Sequence, residues 1–208
     1  MKVIALTGGI GCGKTTASEL FQNEGMPCIN ADTLCHELYS SADSRLLNMM
    51  VARWGRNILS ADGSPDRKII ADIVFRDQKE LEALGNMIQP LAREETERRL
   101  EQFRADGEKV VLLDVPLLYE AGWDALADKV IAIWTPPEMR DERLKQNRGW
   151  DETEIRRRCA AQMDALEKLE RADYGIINSG DKAFLAEQCR RVWLQIRKDL
   201  NLNEDETK

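Results

Sequence analysis

Residues 8–15 read Gly8-Gly9-Ile10-Gly11-Cys12-Gly13-Lys14-Thr15, which fits the pattern G-x-x-x-x-G-K-[ST]. The stretch follows an apolar run, Val3-Ile4-Ala5-Leu6, and leads into a segment of helical periodicity that begins near Lys14. In that strand–loop–helix setting, a glycine-rich loop turns its backbone N–H groups toward phosphate oxygens. The helix N-terminus adds partial positive charge. Gly11, Cys12, Gly13, Lys14, Thr15 and Thr16 are therefore expected to bind the phosphates of a nucleotide, with Lys14 on the outer phosphates and the Thr15 hydroxyl on Mg²⁺. The dinucleotide pattern G-x-G-x-x-G fails from each possible start, on Ile10, Lys14 or Thr16. The acidic residue downstream is thus not a ribose clamp for a nicotinamide cofactor.

Outward from the loop, apolar runs alternate with amphipathic ones. Val3–Thr7 predicts a first strand and Lys14–Asn23 a helix, with Ala17, Leu20 and Phe21 at helical spacing and Gly25 as a stop. Further strands are expected at Pro27–Asn30, Val110–Leu113, Lys129–Trp134 and Tyr174–Ile177. The third and fourth are near-continuous apolar runs, as expected for parallel strands buried on both faces. The fold class expected is α/β: a three-layer P-loop NTPase fold with a five-stranded parallel sheet. Ligands of such sheets bind beyond the carboxyl ends of the strands. The loop, Asp32, Asp114, Pro136 and Asn178 each follow a strand, so they are expected to gather on one edge. The stretch 33–108 has mainly helical pattern, with a loop at Ser60–Pro65, and is too long for one crossover helix; a helical acceptor-binding subdomain is expected there within one kinase domain, 1–208. The acidic tail Asn201–Lys208 is expected to fray.

Composition narrows the class. The chain has 208 residues, 32% charged and 43% hydrophobic, which suits one globular domain. Its net charge of −7 argues against a general nucleic-acid binder. The five cysteines are scattered and odd in number, with no C-x-x-C pair, which points to a reducing compartment rather than a disulfide framework or zinc site. No signal peptide or membrane span is expected, and the cytoplasm is the expected location. A monomer or weak homo-oligomer is expected.

Asp32 closes the second strand. A carboxylate there can take the proton of a phosphoryl acceptor's hydroxyl, and that role is favoured over capping a helix that starts near Thr33. Asp114 ends a run of four apolar residues, the pattern of an aspartate in the Mg²⁺ shell; a loop-starting Asp without metal is the other reading. Arg140, Arg143, Arg148, Arg156, Arg157 and Arg158 crowd the segment after the fourth strand, with a bend at Asn147–Trp150. Segment 137–165 is expected to form a helical lid whose arginines neutralise the transferring phosphoryl group, Arg140 and Arg143 first and Arg148 next. A solvated face of Glu–Arg pairs is the plain alternative. For Cys12 a small residue filling a loop position is the favoured reading; beside Lys14 and a helix N-terminus, a lowered thiol pKa and a reactivity that ATP blocks are the other. His36, the lone histidine, is expected at a surface or packing position.

Beyond the loop, the chain resembles the dephospho-coenzyme A kinase family. The likeness includes ALTGGIGCGKTT, the strand end INAD with Asp32, ADGSPDR with Arg67, VFRD, VPLLYE at Val115–Glu120, the arginine segment, Gln162 and YGIINSG. The resemblance implies ATP-dependent phosphorylation of the ribose 3′-hydroxyl of dephospho-coenzyme A, with Asp32 as base. It implies that Arg67, Gln89, Pro116, Leu117, Leu118 and Glu120 lie toward the acceptor, and Asn178 and Gly180 near the adenine of ATP. Two departures stand out. Gln89-Pro90 replaces the family's His-Pro, which removes any proton-carrying role there. Asn147 stands where the family's second lid arginine falls, with Arg148 one position later, a turn of about 100° on a helix. The remaining alternatives are a P-loop kinase for another nucleoside or nucleotide, and an ATP-binding regulatory protein with little turnover.

Overall fold

The computed structural model describes residues 1–40 and 45–202, which divide into two compact units, one of residues 1–30 with those from 102 onward and one within 31–101. The first unit carries the sheet. β1 (Lys2–Gly8) leads through the glycine-rich loop into α1 (Lys14–Asn23), and β2 (Cys28–Asn30) follows. After the second unit come β3 (Val110–Asp114), β4 (Lys129–Trp134), α6 (Pro137–Arg148), α7 (Glu152–Ala160), α8 (Ala165–Arg171), β5 (Tyr174–Ile177) and α9 (Lys182–Asp199). The five strands pair in the order β2-β3-β1-β4-β5, all parallel. The register sets Leu6 beside Asp114, Asn30 beside Asp114, and Gly8 beside Ile133. The carboxyl ends of β1, β2, β3 and β4 therefore share one edge, as expected of a doubly wound sheet.

Side chains alternate across each strand. On one face Ile4, Leu6, Leu112, Ile131, Ile133 and Ile176 pack with Ala17 and Phe21 of α1 and with Leu185, Cys189, Trp193 and Ile196 of α9. Fully burying a side chain such as Phe21 contributes about 3 kcal/mol at most. The residues of opposite parity in β1, namely Val3, Ala5 and Thr7, are buried too, and α8 lies against β1 and β4. The bend expected at Asn147–Trp150 is present: α6 stops where Gly149 takes a left-handed conformation, φ 65°, and Asp151 caps α7 through the Glu154 N–H. The tail departs from expectation at its start. Asn201 adopts φ 53° and the Leu202 N–H bonds to the Arg197 carbonyl, a Schellman-type stop that packs Leu202 on the core. Residues 203–208 lie outside the described residues, and the expectation for them with it.

The second unit is helical: α2 (Ala31–Ser40), α3 (Arg45–Trp54), a 3₁₀ turn (Arg56–Ile58), α4 (Arg67–Arg76) and α5 (Gln78–Ala105), whose last residues belong to the first unit. Its own core joins Leu46, Leu47, Met50, Ile58, Ile70, Val74 and Leu91. The Ser60–Pro65 stretch is a turn closed by a Ser60 N–H to Ser64 carbonyl bond of 2.8 Å. Asp66 caps α4 by accepting from the Lys68 and Ile69 N–H groups. Glu95 of α5 holds Arg98 and Arg99, and Arg99 reaches Glu37 of α2.

Candidate active site

The glycine-rich loop is fixed by what packs against it. Gly13 precedes α1 in a left-handed conformation, φ 90°, and a Cβ there would come within 2.5 Å of the Asn178 amide. Gly11, at φ 72°, leaves room for Leu144 and Arg140 of α6, 2.9 and 3.2 Å from a Cβ built there. Any side chain at either place is excluded by conformation and by space. The Cys12 carbonyl accepts two buried hydrogen bonds, from Thr135 Oγ1 at 3.1 Å and Asn178 Nδ2 at 2.8 Å. The residues following β4 and β5 thus hold the middle of the loop from behind.

Cys12 itself is buried, and burial pushes its thiol up to about 11 despite the nearby Lys14 charge and N–H. That overturns the expectation of a lowered pKa. Desolvation of the thiolate outweighs the helix end and the lysine, and the backbone of Cys12 is what the loop uses.

Lys14 stands at the first position of α1 and forms an ion pair with Asp114, whose side chain is 1% exposed. The other Asp114 oxygen accepts from Asn30 Nδ2 at 2.8 Å. Thr15, one residue along, is exposed on the first turn of α1, as a ligand to an incoming phosphate or ion must be. A carboxylate and a hydroxyl are hard oxygen donors that suit Mg²⁺. Among the described residues no group of three or more His, Cys, Asp or Glu is arranged to hold a metal.

The arginines of α6 and its joint with α7 differ in their engagements. Arg143 Nη2 donates to the Gly180 carbonyl at 3.0 Å, so α6 is tied to the loop after β5. Arg140 pairs with the adjacent Asp141 at 2.7 Å. Arg148 and Arg158 both stack on Trp150, at 5.0 and 4.2 Å. Arg156, Arg157 and Arg158 pair with Glu152 and Glu154 at helical spacing, the plain alternative for those three.

The residues expected toward the acceptor fall in two groups. In the first unit, Leu118 is fully buried, Leu117 is half-buried, and Pro116 and Glu120 take part in a network described below. In the second unit, Asp32 is exposed in the first turn of α2. Because α2 starts at Ala31, Asp32 is inside the helix rather than its N-cap, which removes the capping alternative. Arg67, the first residue of α4, bonds through Nη1 to His36 Nε2 at 2.8 Å and through Nη2 to the Ser40 hydroxyl. Gln89 is exposed midway along α5, just before the internal Pro90.

Four polar residues escaped the sequence reasoning: Thr7, Asn30, Thr135 and Lys168. Asn30 and Thr135 each close or follow a strand on the ligand edge, the signal that drew attention to Asp114 and Asn178. Lys168 lies in the charged run Ala165–Arg171, where nothing in the pattern distinguishes a buried lysine from a solvated one.

The family model described as dephospho-CoA kinase matches residues 2–183. A dephospho-CoA kinase of Symbiobacterium thermophilum is 37% identical over 93% of this chain and 80% of its own length. One of Corynebacterium diphtheriae is 36% identical over 93% and 96%. Among solved structures, dephospho-CoA kinase from Campylobacter jejuni superposes with a TM-score of 0.73, at 28% identity, covering 95% of this chain and 98% of its own.

Proposed function

The chain belongs to the dephospho-CoA kinase family, and from that premise we propose that it transfers the γ-phosphoryl group of ATP to the ribose 3′-hydroxyl of dephospho-CoA, giving CoA and ADP. The observation that carries this reading is Lys14, placed by the glycine-rich loop at the head of α1 and paired with Asp114 on the ligand edge of the sheet.

Phosphoryl transfer needs charge neutralisation and alignment more than covalent help from the protein. The N–H groups of Gly11–Thr16 and the N-terminus of α1 receive the phosphates. Lys14 exchanges Asp114 for the β- and γ-phosphate oxygens. Asp114, kept in place by Asn30, and Thr15 would hold Mg²⁺, which would neutralise charge on the phosphates. Arg140 is the first candidate for the transferring group. Arg143 acts on the loop at Gly180, beside which the adenine is placed. Asp32, two residues along the chain from Asn30, takes the proton of the acceptor hydroxyl. Arg67 binds the acceptor, with His36 and Ser40 presenting its guanidinium. Gln89 serves the acceptor by hydrogen bonding alone. Helices α6 and α7 form the lid. All five cysteines are free, which supports a reducing, cytoplasmic setting.

The test is Asp32→Asn. With dephospho-CoA as acceptor, kcat falls by about two powers of ten, the scale of a lost general base, while ATP affinity is unchanged. An unaltered kcat removes Asp32 from the reaction. Turnover on a nucleoside with none on dephospho-CoA replaces the acceptor named here.

A further inference from the structure

Lys168 is a lysine with no exposed surface, in a seven-residue helix that is otherwise mostly solvated. Removing an ammonium from water costs several kcal/mol, so its partners must be well placed. They are. Nζ donates to the Pro116 carbonyl at 2.7 Å and pairs with Glu120 Oε1 at 2.8 Å. Each partner is itself shared. The Pro116 carbonyl also accepts from Thr7 Oγ1 at 3.1 Å, at the end of β1. Glu120 Oε1 also accepts from the Met163 N–H at 2.9 Å, in the turn before α8. One ammonium therefore joins the end of β1, both ends of Pro116–Glu120, and α8.

The joined segment lacks regular structure of its own. It follows Asp114 directly and is held by few backbone bonds, among them Val115 N–H to the Leu6 carbonyl and Ala121 N–H to the Leu117 carbonyl. Among the described residues, Lys168 and Thr7 are the donors that hold the Pro116 carbonyl in place. Stability alone does not account for such a group, because replacing a buried ion pair by apolar residues is commonly neutral or stabilising. What the pair supplies is one fixed course for the chain between the Asp114 carboxylate and the loop that follows it.

We propose that Lys168 is a positioning residue: its buried ammonium fixes the Pro116–Glu120 segment and so sets the acceptor side of the site. The proposal rests on the reading that this segment serves the acceptor. It makes Glu120 a partner of Lys168 rather than a direct acceptor ligand. The middle of the glycine-rich loop is held by different residues, Thr135, Asn178 and Leu144, and α8 meets the loop at Gly9 through Ala165 rather than Lys168, so the two substrates respond differently when the network is cut.

Lys168→Met and Thr7→Val separate the cases, with kcat and both KM values measured on folded protein. Loss of a buried hydrogen bond to a charged group raises the KM for dephospho-CoA by about tenfold or more in Lys168→Met, with the KM for ATP within about twofold of wild type. Thr7→Val removes one donor without touching the buried charge and shifts the same KM by about threefold. Unchanged acceptor KM in Thr7→Val and Lys168→Met, or equal rises for both substrates, overturns the proposal. If Lys168→Met does not fold, Thr7→Val and Glu120→Gln decide it by the same comparison. A wild-type enzyme inactive on dephospho-CoA defeats the functional reading instead, a distinct result.

Discussion

At Cys12 two forces compete for one thiol, and the outcome illustrates how magnitudes decide chemistry. A helix N-terminus and a lysine favour the thiolate, yet enclosure among Gly8, Leu6 and Ile133 costs more. The sequence shows the first influence, because Lys14 is two positions away. It hides the second, because burial depends on residues far along the chain. The expected outcome is that iodoacetamide at pH 8 leaves Cys12 unmodified in the native protein, with or without MgATP, and modifies it after denaturation, as peptide mapping by mass spectrometry will report. Rapid native labelling that MgATP suppresses would contradict the burial account. Asp32 presents the reverse case. Its place just past β2 was legible. The start of α2 at Ala31 was not, because β2 ends at Asn30 and the helix follows with no loop between them.

Among elements, the strands were the most legible. Each apolar run in the first unit became a strand within a residue or so of its expected limits, because a parallel sheet buried on both faces demands unbroken apolar runs. The ties between elements were less so. Asn178 reads in sequence as a loop residue beside the nucleotide, whereas its amide is committed to the Cys12 carbonyl. Gly13 is required partly by that same amide. Removing it with Asn178→Ala leaves a buried carbonyl with one donor, Thr135, and loosens the loop. The expected result is a KM for ATP raised by about tenfold, with the KM for dephospho-CoA nearly unchanged. Equal changes in both would assign Asn178 to general stability. The arginine segment divides by register: Arg143 and Arg140 lie on the side of α6 that meets the loops, while Arg156, Arg157 and Arg158 pair with glutamates of their own helix.

For the whole molecule, the chain is a phosphate-binding sheet interrupted once. The interruption falls between β2 and β3 and builds a helical unit with its own core, from Ala31 to Glu101. Interruption at that point puts Asp32 and Arg67 on one unit and Lys14, Asp114 and the arginines on the other. The existence of the insert could be read from its length and helical period. Its internal order could not, because Arg67 meets His36 and Ser40 only through folding of α2 against α4. The central claim is that the chain phosphorylates the ribose 3′-hydroxyl of dephospho-CoA. It is tested most directly by incubating the protein with γ-¹⁸O-labelled ATP, Mg²⁺ and dephospho-CoA, and locating the label by mass spectrometry and ³¹P NMR. The account predicts one labelled phosphate on the ribose 3′-oxygen for each ADP formed. ADP released with the label in inorganic phosphate, or on any other oxygen, would contradict it.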